Sequence, residues 1–571
     1  MRLWAPVSML ALIPILSDYL LNRSQLSVQE ILLPLLLNLA IAIIVTSLFY
    51  RTWRHNSLVG FMAATITIII LVNSYEVRLT AIEPVLRALA PLPGLGGYEF
   101  TLYSLALMVI IGGGAYWVGR LANAIVARRS WSAASIITAL TIAISATFVI
   151  QFAATANDLS SAWPQFFYKP PHLAAAPAAA KTAAKPDIYY IVMDDYASSE
   201  NLKSQFNFDN SDFTNFLSAN NYYVRDNAHQ NYPYTAMSIA STLNADYNRD
   251  IVTKFGSSKY QTTIPYNLAT RNSSVAQYLK SVGYQYKLLG NWYETSNDSV
   301  LANTSFQEEG QLTLLGRTFT LDNFAKNELG QGIFWHFLPA KLTIGGFNLL
   351  GYKNVDGAQL TLDQFKTLKS IVAQPAGGRF IFAHFLVPHD PYFFNADGSF
   401  SMSNNGDNFA EPIKEKYVNQ VQFVNSQIRT ILSDIKTNSH GQAVVVLQSD
   451  EGPHPQDLNN GDFDFTSIQD ELSSGSMLTW SGKDLQLKYG SFAAYNVPGA
   501  SQADLVAGGT NVNAFRLVIN TLFNQKLPYL PDCYYAYPNG RSRPFYYKNI
   551  NQQLTGTATP ACGSDGSGPK S

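Results

Sequence analysis

The chain has 571 residues, 47% of them hydrophobic and only 14% charged, with a formal net charge of -1. So apolar a composition excludes a single ordinary soluble domain and points to membrane spans. The balanced charge, with no basic patch interleaved with aromatics, excludes a nucleic-acid surface. Five segments near 3–22, 31–50, 57–75, 101–119 and 133–153 are long and apolar enough to cross a bilayer. The first carries Pro6, Pro14 and Asp18 and could be read as a signal peptide, but the spans behind it favour an uncleaved helix. Arg2, Arg51, Arg54, Arg120, Arg128 and Arg129 fall on one side of these spans, against Arg23, Arg78 and Arg87 on the other. The positive-inside bias therefore predicts a cytoplasmic N-terminus, a membrane domain over 1–154 and an extracytoplasmic remainder.

Residues 155–186, with Pro164, Pro170, Pro171, Pro177 and Pro186 around a run of Ala, read as a semi-rigid linker. Over 187–548 short β-rich runs alternate with helical patterns, which predicts an α/β domain with a mostly parallel central sheet and helices on both faces. The runs 188–193, 284–289, 380–383 and 443–447 are continuously apolar, as expected of central strands covered on both faces. Tyr417, Val421, Val424, Ile428, Ile431 and Ile435 recur at steps of three and four and predict a helix with one stripe against that sheet. Residues 549–571 form a polar tail, read as disordered apart from Cys562. Cys533 and Cys562 carry no metal or redox motif; if paired rather than free, their loop would contribute about 3 to 4 kcal/mol in the chain-entropy model.

Candidate chemistry gathers after the apolar strands, where open α/β sheets bind ligands. The first strand ends in Asp194-Asp195, and the last is followed by Asp450-Glu451 and then His454. Acidic pairs at strand ends are usually solvated turns; two pairs converging would repel unless a cation sat between them. His384 and His389 follow a third strand, five apart and flanked by Pro388 and Pro391, and read as groups aimed into a cleft. Thr235 follows Pro233 and opens a short helical pattern through Met237, Ile239, Ala240 and Leu243. Its hydroxyl is either a nucleophile beside a helix terminus suited to an anion or simply an N-cap. His229, His336 and His440 read as ordinary loop or packing residues.

The order Asp194, Thr235, His389, Asp450 resembles the alkaline phosphatase and sulfatase superfamily. The motifs NYPYTAMSIASTLN at 231–244, HFLVPHDPY at 384–392 and SDEGP at 449–453 are similar to those of bacterial membrane-anchored, sulfatase-like proteins. That group is related to lipoteichoic acid synthase and the lipid A phosphoethanolamine transferases, which also carry five N-terminal spans. The resemblance implies a catalytic domain outside the bacterial inner membrane, with Asp194, Thr235, Asp450 and Glu451 ligating a divalent metal and Asp195 as a further candidate. It implies Thr235 as nucleophile, with His389 and His384 on the transferred group or leaving oxygen, and His454, Ser238 and Asn291 as additional substrate contacts. Glu451 stands where the transferases have His, so the ligands become all oxygen, which suits Mn²⁺ or Mg²⁺, then Ca²⁺, better than Zn²⁺. The implied reaction moves a phosphoglycerol or phosphoethanolamine group from a membrane phospholipid through phosphothreonine to an envelope glycan or lipid. Sulfate or phosphate ester hydrolysis and a catalytically silent envelope sensor or scaffold are the alternatives. The first lacks the Cys-x-Pro-x-Arg motif of formylglycine enzymes; the second draws on Glu451.

Overall fold

The computed structural model describes residues 4–22, 28–53, 57–72, 132–173, 185–306, four strands between 310 and 353, 357–401, 413–455, 476–538 and 543–563, apart from single positions within them and with a few more between 113 and 125. The chain divides into two compact units, residues 1–163 with 309–354, and residues 164–308 with 355–571.

In the first unit, helices α1 (Trp4–Asn22), α2 (Val28–Thr52), α3 (Ser57–Val72) and α4 (Ala133–Ala162) follow the apolar segments. Val7, Ala11, Ala42, Phe61, Ala64 and Ile68 form a small shared core, and Asn38 of α2 donates its amide to the Ala11 carbonyl at 3.2 Å. By length and composition, two stretches of described helix, Pro34–Thr52 and Ala134–Phe167, suffice to cross a membrane; Ala5–Ser17 and Leu58–Ile68 are apolar but shorter. Most of the expected span 101–119 lies outside the described residues.

The second unit is an α/β domain built on a seven-stranded sheet. Its strands are β1 (Ile188–Met193), β2 (Tyr223–His229), β3 (Gln285–Leu289), β4 (Thr304–Phe306), and, after a separate four-stranded antiparallel sheet at 310–353 assigned to the first unit (β5 Gly310–Leu314, β6 Arg317–Leu321, β7 Lys341–Ile344, β8 Phe347–Lys353), β9 (Arg379–Phe385), β10 (Val444–Gln448) and β11 (Gly490–Asn496). They run in the order β2-β11-β10-β1-β9-β3-β4, with only β11 antiparallel to its neighbours. Every residue of β1, β9 and β10 is buried, which explains their unbroken apolar runs. One face packs on helices α6 (Gly357–Val372) and α7 (Ile413–Asn438), where all six expected stripe residues of α7 are buried. The other packs on α5 (Thr235–Asn244) and α9 (Ala514–Phe523), where Tyr190 and Phe380 meet Phe515 edge-on. Helix α8 (Gly482–Tyr489) leads directly into β11.

Two expectations about the flanks need correction. Residues 155–162 of the presumed linker continue α4, and from Pro164 it belongs to the α/β unit: Gln165 Oε1 accepts the Thr262 N–H at 2.9 Å, Ser274 donates to the Pro171 carbonyl at 2.6 Å, and Tyr168 packs edge-on against Phe255. Proline content signals stiffness but not docking. The tail is ordered to residue 563, because Asn551 accepts the Tyr534 N–H, donates to the Asp532 carbonyl, and Cys562 is disulfide-bonded to Cys533. Polarity had hidden two buried anchors, Asn551 and Leu554. Cys562→Ser should lower the stability of this unit by about 3 kcal/mol, read as an earlier denaturation midpoint under non-reducing conditions. An unchanged midpoint would mean that the hydrogen bonds of Asn551 hold the tail unaided.

Candidate active site

Three adjacent strands, β10, β1 and β9, end together, and hydrogen bonds lock their exits in register. The Asp194 N–H donates to the Phe385 carbonyl at 3.0 Å and the His389 N–H to the Asp194 carbonyl at 3.1 Å, joining the ends of β1 and β9. Ser449 Oγ accepts the Tyr196 N–H at 2.9 Å, joining β1 to β10. Asp195 lies at φ 57°, a left-handed position that short polar residues tolerate, and its carbonyl accepts the Tyr417 hydroxyl at 2.8 Å. This turn aims both carboxylates into one site.

The fourth component arrives on the turn before α5. Asn231 donates to the Cys533 carbonyl at 3.0 Å, accepts the Tyr535 N–H at 3.0 Å, and takes the Val512 N–H on its side-chain oxygen at 3.2 Å. So fixed, the turn places Tyr234 at the N-cap and Thr235 as the first helical residue. The capping reading of Thr235 is therefore wrong: its hydroxyl donates not into the helix but to Glu451 Oε1 at 2.9 Å.

Ligand atoms of Asp194, His384 and Asp450 lie within 4.8 Å of one another, as do those of Asp194, Asp195 and Glu451. Asp194 Oδ1, both oxygens of Asp450 and His384 Nε2 are buried without a hydrogen-bond partner. An uncompensated cluster of this kind is costly, and a divalent cation is what its donor set would accept. Burial, and after it the charges of Asp194, Glu451 and Asp195, push the Asp450 carboxyl well above the usual range; burial also raises Asp195, with Glu451 and Asp194 adding to it. Burial would raise Asp194 too, but the His384 ring, His389 and Lys488 outweigh it and hold that carboxyl low.

Lys488 is the member that sequence reasoning missed. Its ammonium lies 2.8 Å from Glu451 Oε2 and 3.8 Å from Asp195 Oδ1, fully buried, and 5.3 Å from the centre of the Tyr234 ring. Burial opposes its charge, but Glu451 and Asp195 raise its pKa far above the ordinary value. Gly452 permits the approach: a Cβ there would meet the Leu487 carbonyl at 2.2 Å, and its N–H donates to the Lys488 carbonyl at 2.9 Å. A lysine in the last turn of a short helix is also what the helix dipole favours, so the sequence carried no signal.

His389 stands at the rim, 38% exposed, with Nε2 3.6 Å from Asp195 Oδ2 and Nδ1 3.0 Å from Asp390 Oδ1. What burial it has works against its charge, but Asp390, Asp195 and Asp194 hold the imidazolium well above its usual pKa. His454 is buried edge-on against Trp480. Two expected substrate contacts are engaged elsewhere: Ser238 donates to the Tyr232 carbonyl at 2.9 Å, and Asn291 donates to the His384 carbonyl at 2.8 Å.

A parallel-rich α/β sheet with buried acidic groups, a helix-terminal hydroxyl and histidines at its carboxyl end defines a domain of the alkaline phosphatase and sulfatase superfamily. The Sulfatase family model matches residues 186–516, and the chain belongs to that family. Among solved structures it is similar to the C-terminal periplasmic domain of EptC from Escherichia coli in complex with zinc, at 12% identity and a TM-score of 0.36, covering 62% of this chain and 87% of that one. It is also similar to the C-terminal periplasmic domain of the phosphoethanolamine transferase EptC from Campylobacter jejuni, at 10% identity and a TM-score of 0.33, covering 61% and 97%. BT1596, a 2-O GAG sulfatase, is similar at 11% identity and a TM-score of 0.35, covering 60% and 72%. No curated protein matches the chain.

Proposed function

We propose that this protein is a membrane-anchored, metal-dependent transferase that moves a phosphoglycerol or phosphoethanolamine group from a phospholipid to an envelope glycan or lipid, with its α/β domain outside the inner membrane. The observation that carries this reading is the Thr235 hydroxyl, held at a helix N-terminus, donating to Glu451 beside three further buried carboxylates. Threonine cannot become the formylglycine of sulfate ester hydrolases, since its β-carbon carries a methyl group. Its alkoxide can attack phosphorus.

Asp194, Asp450 and Thr235 would hold a divalent cation, which when bound would lower the pKa of the Thr235 hydroxyl and neutralise phosphate charge. Glu451 Oε1 takes the Thr235 proton as the Oγ–phosphorus bond forms and the bond to the lipid alcohol breaks. Lys488, 2.8 Å from Glu451 Oε2, holds that side chain in position for the transfer. His389, held protonated by Asp390, gives its proton to the departing alkoxide at the rim. A hydroxyl of the acceptor then displaces Thr235, returning a proton by the reverse path.

The test is mass spectrometry of full-length protein in mixed micelles of phosphatidylglycerol and phosphatidylethanolamine. A peptide containing Thr235 should gain the mass of one phosphoglycerol or phosphoethanolamine group. Lipid turnover with Thr235 unmodified at every time point would overturn the covalent mechanism.

A further inference from the structure

We infer that His384 is a nitrogen ligand of the metal and that Glu451 is not a ligand at all. This rests on the proposal that the site takes a divalent cation.

The two oxygens of Glu451 each face another group, Oε1 through a hydrogen bond and Oε2 through charge alone. Oε1 accepts the Thr235 hydroxyl at 2.9 Å and Oε2 faces the Lys488 ammonium at 2.8 Å. Lys488 also lies 3.8 Å from Asp195, so the second acidic group, Asp194, Asp195 and Glu451, contains a cation of its own. A metal brought there would meet a fixed positive charge.

The first group is different. His384 Nε2 is completely buried, has no hydrogen-bond partner, and lies 3.5 Å from Asp194 Oδ2, with an Asp450 oxygen in the same cluster. Donors each about 2.0 to 2.1 Å from a tetrahedral ion sit about 3.3 Å apart, close to this separation.

The remaining requirement is an unprotonated Nε2, and the far side of the ring provides for it. Ser296 Oγ lies 2.7 Å from His384 Nδ1 and 3.2 Å from Asn291 Oδ1. Asn291 is oriented by its other bonds: its amide nitrogen donates to the His384 carbonyl and its oxygen accepts the Tyr293 N–H at 2.8 Å. That oxygen can only accept, so the Ser296 hydroxyl donates to it and presents its own lone pair to Nδ1–H. The ring of bonds runs from the His384 imidazole through Ser296 and Asn291 to the His384 carbonyl, where Gln364 adds a donor at 3.1 Å. A histidine that donates Nδ1–H into such a network offers Nε2 as a metal ligand. Ser296 is thus a positioning residue, and the donor set of two carboxylates, one imidazole and a threonine oxygen favours Zn²⁺ over Mg²⁺ or Ca²⁺.

The test loads metal-stripped full-length protein in detergent with Mn²⁺ or Zn²⁺ alone, without substrate. Pulsed EPR of bound Mn²⁺ should show nitrogen coupling from one imidazole. The coupling should persist in Glu451→Gln and Ser296→Thr and vanish in His384→Gln. Ser296→Ala, which leaves the core intact, should weaken Zn²⁺ about 10- to 100-fold, with Ser296→Thr restoring it. An oxygen-only spectrum in the native protein, or a coupling that His384→Gln leaves and His454→Gln removes, would overturn the assignment. So would loss of metal by Glu451→Gln with Zn²⁺ binding in Ser296→Ala unchanged. Because no turnover is measured, a native spectrum with imidazole coupling in a protein that transfers nothing would sink the transferase reading alone.

Discussion

Thr235→Val is expected to lower phospholipid turnover by about four to six powers of ten while leaving the fold in place. Valine matches threonine in shape, and Thr235 does not cap its helix, since Tyr234 holds the N-cap position and the hydroxyl points to Glu451. The stability change should stay within about 1.5 to 3 kcal/mol, the cost of one buried hydrogen bond to a charged acceptor. Thr235→Ser keeps an attacking oxygen and should retain measurable turnover. Quantitative assay of purified variants against a phosphatidylglycerol or phosphatidylethanolamine donor reads both. Near-native rates for Thr235→Val would remove the nucleophile and the mechanism with it.

The second large effect is on stability. Lys488→Met removes the only described cation within ion-pair distance of Glu451 and leaves two buried carboxylates, Glu451 and Asp195, without it. Breaking a buried pair from one side costs about 3 to 5 kcal/mol, mostly as the penalty of the stranded charge. Metal-free Lys488→Met should therefore unfold at markedly lower denaturant than the native protein. Combining it with Glu451→Gln should recover most of the loss, because the second change removes the charge the first stranded. Additive losses in the double variant would show that Lys488 and Glu451 are not energetically paired. Turnover should fall in all three variants.

The sheet was legible because β1, β9 and β10 are buried on both faces and so could be written only in apolar residues. The acids that interrupt those runs, Asp194 and Asp450, stood out for the same reason, and Thr235 was marked by the proline before it and the apolar pattern after it. What escaped notice depends on partners distant in sequence. β2 is an edge strand whose YVRDNAH sequence has no alternation to recognise, and it is a strand because β11 pairs with it. Lys488 looks like any helix-end lysine until Gly452 brings Glu451 against it. His384 and Ser296, 88 residues apart, meet only because β3 and β9 are neighbours. Asn291, expected at the substrate, works on the backbone of the histidine instead.

The ties from Asn231 to Cys533 and Tyr535 set a timetable for maturation. The turn that presents Thr235 rests on chain made some 300 residues later, so its hydroxyl can be seated only once residues 533–535 have been made. Until then a nascent chain carries Asp194, Asp195, Asp450 and Glu451 but no fixed Thr235 hydroxyl. The site is thereby completed by the segment around Cys533 and Tyr535, the last part of it to be made.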